Sequence, residues 1–328
     1  MHTVLGGETS GGLFCRRAGE AAVFFKLRAA MERMFPERPR AMFTAPKHTV
    51  EDRPPATAMT VAFCRALAAR DERKGITGPD HLAEIFLPEE GKNQLRDTAS
   101  REWAVNNMVT SPLYGYFIAR TAYFDGIFRS ALEDGTRQIV LLGAGYDTRS
   151  WRFSGLLGDV RVFELDIKST QESKIAALRA AQMEIPEQVK LVRIDFTSED
   201  LESVLVQAGY DPGQRTLFIW EGVTYYLTEE SVNATLRFVH RNSPRGSRLC
   251  FDYLIEKLGS VNPDEPFLFW KHPLQMKEML AGRGYKILED LDCAGMERRY
   301  LTLPGGALGE RALPLFRFVF VESAREAR

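Results

Sequence analysis

The chain has 328 residues with 43 basic and 44 acidic side chains, a formal net charge of −1, a length that suits one large domain or a catalytic domain with a sizeable lid. The near-neutral balance argues against nucleic acid as an obligatory partner, because gripping a phosphate backbone needs a basic excess or patch. No apolar run reaches the ~18 residues of a membrane span, and Cys15, Cys64, Cys250 and Cys293 form neither close pairs nor a CxxC motif, so no disulfide framework or metal site is expected and the chain reads as cytoplasmic.

In chain order, residues 1–12 are glycine-rich and read as an arm. Phe24, Leu27, Met31, Met34 and Phe35 then stand at helical spacing, stopped by Pro36. Pro36, Pro39, Pro46, Pro54 and Pro55 mark 36–55 as an extended connector. A helix carrying Met59, Phe63, Ala66 and Leu67 follows, then one from about Thr98 to Val109. A longer helix, about 114–133, carries Phe117, Phe124, Ile127, Phe128 and Ala131, with Gly135 as its stop signal. Residues 1–135 thus read as a helical arm and cap.

Beyond 136 the pattern changes to short apolar runs: 139–142, 160–166, 189–196, 216–221 and 248–254. Helical stretches at 169–183, 198–208 and 228–240 alternate with them, and Thr197-x-x-Asp200 resembles a capping box. Strands separated by helices imply βαβ units and a buried parallel sheet. Late runs at 286–291 and 313–323 read as further strands, of a kind that could pair antiparallel. The expected class is therefore α/β, with residues 136–328 forming the sheet domain.

In an open doubly wound sheet, ligands bind at the carboxyl ends of the strands. The first strand ends in Gly143-Ala144-Gly145-Tyr146-Asp147-Thr148-Arg149. Its glycines permit a tight turn and close backbone approach to a ligand. A dinucleotide fingerprint would put a third glycine at 148, where Thr148 stands, and Asp147 is a poor neighbour for a pyrophosphate. The second strand ends in Asp166, spaced to bind ribose hydroxyls, with Glu164 as the fallback. Asp195 and Phe196 end the third strand and suit a purine's amine and face. Glu221 ends the fourth. Acidic groups at all of these ends fit an adenosine ligand that carries positive charge rather than a phosphate chain.

Taken in order, GAGYDTRSWRF, VFELD, IDF and WEGVTYYL, with the upstream ARTAYFD at 119–125, resemble the leucine carboxyl methyltransferase family. The resemblance covers roughly residues 50–325. It implies a class I methyltransferase Rossmann-like fold: a seven-stranded, mostly parallel sheet with helices on both faces and an N-terminal helical cap. It implies S-adenosyl-L-methionine as cofactor. Gly143, Ala144 and Gly145 would pass under its methionine part, Asp166 would hold the ribose, and Asp195 and Phe196 the adenine. Glu221 would contact the methionine amino end and Arg120 the methionine carboxylate. Arg149 would fix the loop. Ala122 stands where the family carries an arginine, which removes one cation near the site.

Methyl transfer to a carboxylate needs alignment and dryness but no general base, because the acceptor is already ionised at neutral pH. The expected acceptor is a small-molecule carboxylic acid. Arg120 or Tyr226 would orient it, and Phe117, Tyr123, Phe124 and Phe128 would form a dry cap. A phenol acceptor would need a base, and His240 and His272, the histidines of the second half, belong to no recognisable motif. Methylation of a phenol or of a protein C-terminus, and a cofactor-binding regulatory module without turnover, are the alternatives. A nicotinamide dehydrogenase is disfavoured by Thr148 and Asp147. The amphipathic N-terminal helix is compatible with a homodimer.

Overall fold

The computed structural model of the chain describes residues 54–71, 78–107, 111–196, 198–258 and 265–324. The N-terminal arm, the 18–35 helix, most of the proline connector and Thr197 of the capping box lie outside the described residues.

Four helices come first: α1 (Ala56–Ala69), α2 (Glu89–Arg96), α3 (Thr98–Asn107) and α4 (Ser111–Glu133), with a 3-10 turn at Ala83–Phe86. Strands and helices then alternate: β1 (Gln138–Leu142), α5 (Arg149–Arg152), β2 (Arg161–Asp166), α6 (Lys168–Ala180), β3 (Val189–Arg193), α7 (Leu201–Gln207), β4 (Thr216–Trp220), α8 (Glu229–Arg241) and β5 (Arg248–Leu254). The chain closes with α9 (Pro273–Ala281), β6 (Tyr285–Leu291), α10 (Cys293–Tyr300) and β7 (Phe316–Ser323).

The strands form one seven-stranded sheet in the order β3-β2-β1-β4-β5-β7-β6. β1 to β5 run parallel, and β7 inserts antiparallel between β5 and β6. The sheet order reverses at β1, so the crevice beyond the carboxyl ends of β1, β2 and β4 is the expected ligand position. β3 is shorter than expected, ending at Arg193, so Asp195 and Phe196 lie in the following turn. The helix after it starts at Leu201, because Asp200 accepts the Ser203 amide and caps it there.

The period-2 alternation of the strands builds two cores. On one face Ile139, Leu141, Val162, Leu217, Ile219 and Cys250 pack with α1 and α4 in a single cluster. On the other, Val140, Leu142, Phe163, Phe218, Trp220 and Phe251 pack with Leu205 of α7, Val232, Leu236 and Val239 of α8, and Met276 and Leu280 of α9. The α8 triplet shows why that stretch is helical: apolar residues at i, i+4 and i+7 form one stripe. Thr228 caps its N-terminus, Glu229 and Glu230 occupy the first turn, and His240 and Arg241 the last.

The aromatic residues of α4 require a correction. Tyr123, Phe124 and Phe128 do not form a lid over a ligand. They are at most 1% exposed and packed into the core: Tyr123 and Phe124 on Phe318 of β7, at ring separations of 5.4 and 6.2 Å, and Phe128 on Phe153, just after α5, at 5.6 Å. A 23-residue helix lying on a sheet must bury its apolar face there, and these side chains are that face. Phe117 alone of the four stands under the Arg120 guanidinium, at 5.2 Å. Gly115 lets α4 approach the C-terminal segment, for a Cβ there would lie 2.1 Å from the Arg311 carbonyl oxygen.

Candidate active site

β1 delivers the chain into the loop Gly143–Thr148. Gly143 (φ +72°) and Gly145 (φ +50°) both sit in the left-handed region that disfavours side chains. They do so for different reasons. A Cβ on Gly143 would strike Val223 Cγ2 at 2.5 Å, so this glycine serves the close packing of two loops. A Cβ on Gly145 would meet nothing within 4 Å, so that glycine borders open space at the sheet edge. The Ala144 amide donates to the Leu165 carbonyl at 2.8 Å and its own carbonyl accepts the Asp147 amide, which closes the turn.

Asp166, at the end of β2, faces this loop. It accepts the Gly145 amide at 2.5 Å and the Ile167 amide at 2.8 Å. Burial raises its carboxyl above the ordinary range, and the two amides oppose that shift. Glu164 is not an alternative to it. It is fully buried and bound to the Ser150 hydroxyl at 2.5 Å and Lys174 Nζ at 2.6 Å. Strand alternation explains the error: residues 164 and 166 share a face, but 164 lies one pleat deeper, beneath α6. Asp195 and Phe196 are half-buried beyond β3. The Asp195 carboxylate accepts the Ser198 hydroxyl, and its amide donates to Glu199 at 2.7 Å.

Glu221 follows β4 and is held between two arginines. Arg120 Nε stands 3.0 Å from Oε1 and Arg149 Nη2 stands 2.7 Å from Oε2, with both arginine side chains at most 5% exposed. Neither nitrogen has a well-aligned hydrogen-bond acceptor, so the pairs act through charge and leave two buried donors under-used. Arg149 also binds Asp125, at 2.8 Å, and Asp147. Asp147 is therefore spent on Arg149 and is not offered to a ligand, which corrects the reading of its charge. Burial alone would raise its carboxyl. Arg149, then Lys174 and the Arg149 amide, hold it below the ordinary range.

Arg120 is fixed from the other side by residues that motif reading passed over. Asp252 of β5 is completely buried, accepts the Tyr116 hydroxyl at 2.5 Å and the Gly222 amide at 2.7 Å, and lies 3.7 Å from Arg120 Nη1. Arg120 Nη1 also donates to the Tyr116 and Tyr225 hydroxyls, at 3.3 and 3.4 Å. A charged residue in the otherwise apolar run LCFDYL, 249–254, is the signal for Asp252. Tyr226 adjoins Tyr225, with ring centroids 4.8 Å apart, and Phe267 at 5.4 Å. Beyond it Glu265 accepts the Thr57 hydroxyl at 2.6 Å. Burial pushes the Tyr225 and Tyr226 hydroxyls well above the usual phenol range, so both stay protonated at neutral pH.

Arg65, Arg120, Arg149, Arg152 and Lys174 thus face Asp80, Asp125, Asp147, Glu164, Asp166, Glu221 and Asp252 across this edge. Carboxylates outnumber cations in the cluster, which is the electrostatics that receives a cationic group. Together with the open space at Gly145 and the two under-used guanidinium donors, this fits a sulfonium cofactor with its own ammonium, carboxylate and ribose.

The leucine carboxyl methyltransferase family profile matches residues 58–240. A candidate S-adenosyl-L-methionine-dependent methyltransferase of Streptomyces avermitilis is 30% identical over 238 residues, covering 70% of this chain and 82% of that protein. YktD of Bacillus subtilis, also a candidate S-adenosyl-L-methionine-dependent methyltransferase, is 34% identical over 141 residues, covering 43% of this chain and 46% of YktD. Among solved structures, a candidate methyltransferase from Thermobifida fusca aligns with a TM-score of 0.53 at 16% identity, over 81% of this chain and 94% of that one, a likeness of fold. With its glycine loop, acidic strand ends and sheet order in place, the chain belongs to the leucine carboxyl methyltransferase family and is an S-adenosyl-L-methionine-dependent methyltransferase.

Proposed function

We propose that the acceptor is a carboxylate of a small organic acid and the product its methyl ester. The observation that carries this reading is the donor character of the wall running from Arg120 through Tyr225 to Tyr226. Arg120 donates to the Tyr225 hydroxyl at 3.4 Å, which leaves that hydroxyl's own proton, like that of Tyr226, to be offered to an anion, and none of the three groups would remove a proton. In this reading Gly143, Ala144 and Gly145 line the methionine part of the cofactor, Asp166 binds the ribose and Asp195 with Phe196 the adenine. Glu221, its four lone-pair positions only partly used by arginine, takes the ammonium, and Arg120 with Arg149 takes the carboxylate. When bound, the cofactor would supply an electrophilic methyl group. The Arg120–Tyr225–Tyr226 wall would hold the acceptor carboxylate toward it, and the rings of Tyr225, Tyr226 and Phe267 would exclude water. In this reading 1–135 would be the arm and cap and 136–328 the catalytic unit.

A hydroxyl acceptor is the second reading, with Glu265, a carboxylate near enough to Tyr226 to act on it through its charge, as the candidate base for a phenolic proton. Incubation with methyl-labelled cofactor and paired panels of carboxylic acids and phenols separates the two. A base-labile labelled ester supports the carboxylate, and a base-stable ether with no ester overturns it.

A further inference from the structure

The helical layer and the glycine loop belong to different parts of the chain, yet three contacts fasten one to the other. Arg65 Nη2, on α1, donates to the Tyr146 carbonyl at 2.7 Å. The Phe86 and Tyr146 rings stack with centroids 5.0 Å apart. The Thr148 hydroxyl donates to Asp80 Oδ1 at 2.7 Å. Asp80 is the centre of this arrangement. It is completely buried, its Oδ1 accepts the Leu82 and Ala83 amides at 3.3 and 3.1 Å, Arg65 Nη1 stands 3.2 Å from Oδ2, and Arg152 Nε stands 3.4 Å from Oδ1. A single carboxylate therefore organises the 80–86 turn, two arginines and the far end of the loop. Thr148, the residue that breaks the dinucleotide fingerprint, has its hydroxyl committed to this contact and to Arg152 Nε at 2.8 Å.

We infer that Asp80 is a positioning residue for the cofactor, holding the Gly143–Thr148 loop in its ligand-ready shape from the helical layer through Thr148. The inference rests on placing the cofactor against this loop. Two positive-φ residues leave the loop little intrinsic preference for its observed path, and Gly145 borders open space rather than protein. An unanchored loop would have to be ordered at the moment of binding, which weakens affinity. The anchor also couples the layers. A ligand that stabilises the loop must stabilise the 80–86 turn in equal measure.

The test is calorimetric titration of the full-length protein with S-adenosyl-L-homocysteine, alongside amide hydrogen exchange with and without it. Thr148→Val, which removes the hydroxyl, is expected to weaken binding about tenfold, the loss of one hydrogen bond to a charged group. Thr148→Ser, which keeps it, is expected to restore affinity to within about twofold on the same scale. In the wild type the ligand slows exchange at residues 80–86, and in Thr148→Val it does not, a readout that a merely structural loss would not move. Wild-type affinity in Thr148→Val, or equal weakening in Thr148→Ser, overturns the inference. If Thr148→Val fails to fold, Arg65→Gln, which breaks the Tyr146 anchor, is expected to weaken binding by about threefold or more, and unchanged affinity there overturns it as well. Asp166→Ala is the control for the cofactor's placement. If that variant binds like wild type, the placement fails, and the outcome is distinct from failure of the Asp80 anchor.

Discussion

Glu221→Gln keeps the shape of the side chain and removes one charge from between two buried arginines. Arg149 retains Asp125 and Asp147, and Arg120 retains Asp252 at 3.7 Å, so neither guanidinium is stranded. The loss therefore falls at the low end for breaking a buried pair, about 3 kcal/mol of folding stability. For a chain of this length that lowers Tm by about 4 °C in thermal denaturation. On the proposed placement of the cofactor its affinity falls separately, because a neutral amide would replace the proposed partner of the ammonium; losing a charge-assisted hydrogen bond of about 1.5–3 kcal/mol raises Kd about 10- to 150-fold. Differential scanning calorimetry and titration with S-adenosyl-L-homocysteine measure the two quantities independently. Combining Glu221→Gln with Arg120→Gln should show a coupling of about 0.5–3 kcal/mol in a double-mutant cycle. A variant with Tm within about 2 °C of wild type and unchanged cofactor affinity would refute the view that this ion network is both structural and ligand-bearing.

Gly143→Ala is expected to cost about 2–4 kcal/mol of stability, from left-handed strain plus the Val223 clash, and Val223→Ala should recover only the clash; chemical denaturation checks both. Gly115→Ala, which elsewhere in a helix gains about 1 kcal/mol, should instead destabilise by about 1–3 kcal/mol against the Arg311 carbonyl, and a rise in denaturation midpoint contradicts that packing. Asp166 has its carboxyl raised by burial, so the folded state holds this proton more tightly than the unfolded chain, and its contribution to stability declines as pH rises through the window between the two values. If Asp166 holds the ribose, as proposed, cofactor binding runs the opposite way, because that contact uses the carboxylate. Affinity for S-adenosyl-L-homocysteine should fall as pH drops into the range just above an ordinary aspartate, and Asp166→Asn should lose that pH dependence; an unchanged profile in the variant counts against Asp166 as the ribose ligand.

The linear order of residues determined a good deal about this protein. Alternating apolar strands, capped helices between them, the GAGYDTR turn and acidic strand ends are local patterns with periods of 2 or 3.6 residues. They identify the α/β class, the ligand edge and the family. What the sequence left undecided is how those acids are partnered. Asp147 reads as free for a ligand until Arg149 is seen folded onto it, and Glu164 reads as a ribose partner until Lys174 and Ser150 are seen beneath it. Arg120 meets Tyr225, 105 residues away, and Tyr116 meets Asp252, 136 residues away. Such pairings are chosen by desolvation: once the sheet and α4 close over these groups, each buried charge must find a partner among whatever the packing brings near. The aromatic face of α4 follows the same logic. Its periodicity showed that the face would be buried, and only the tertiary structure decided that it would be buried in the sheet rather than over the ligand.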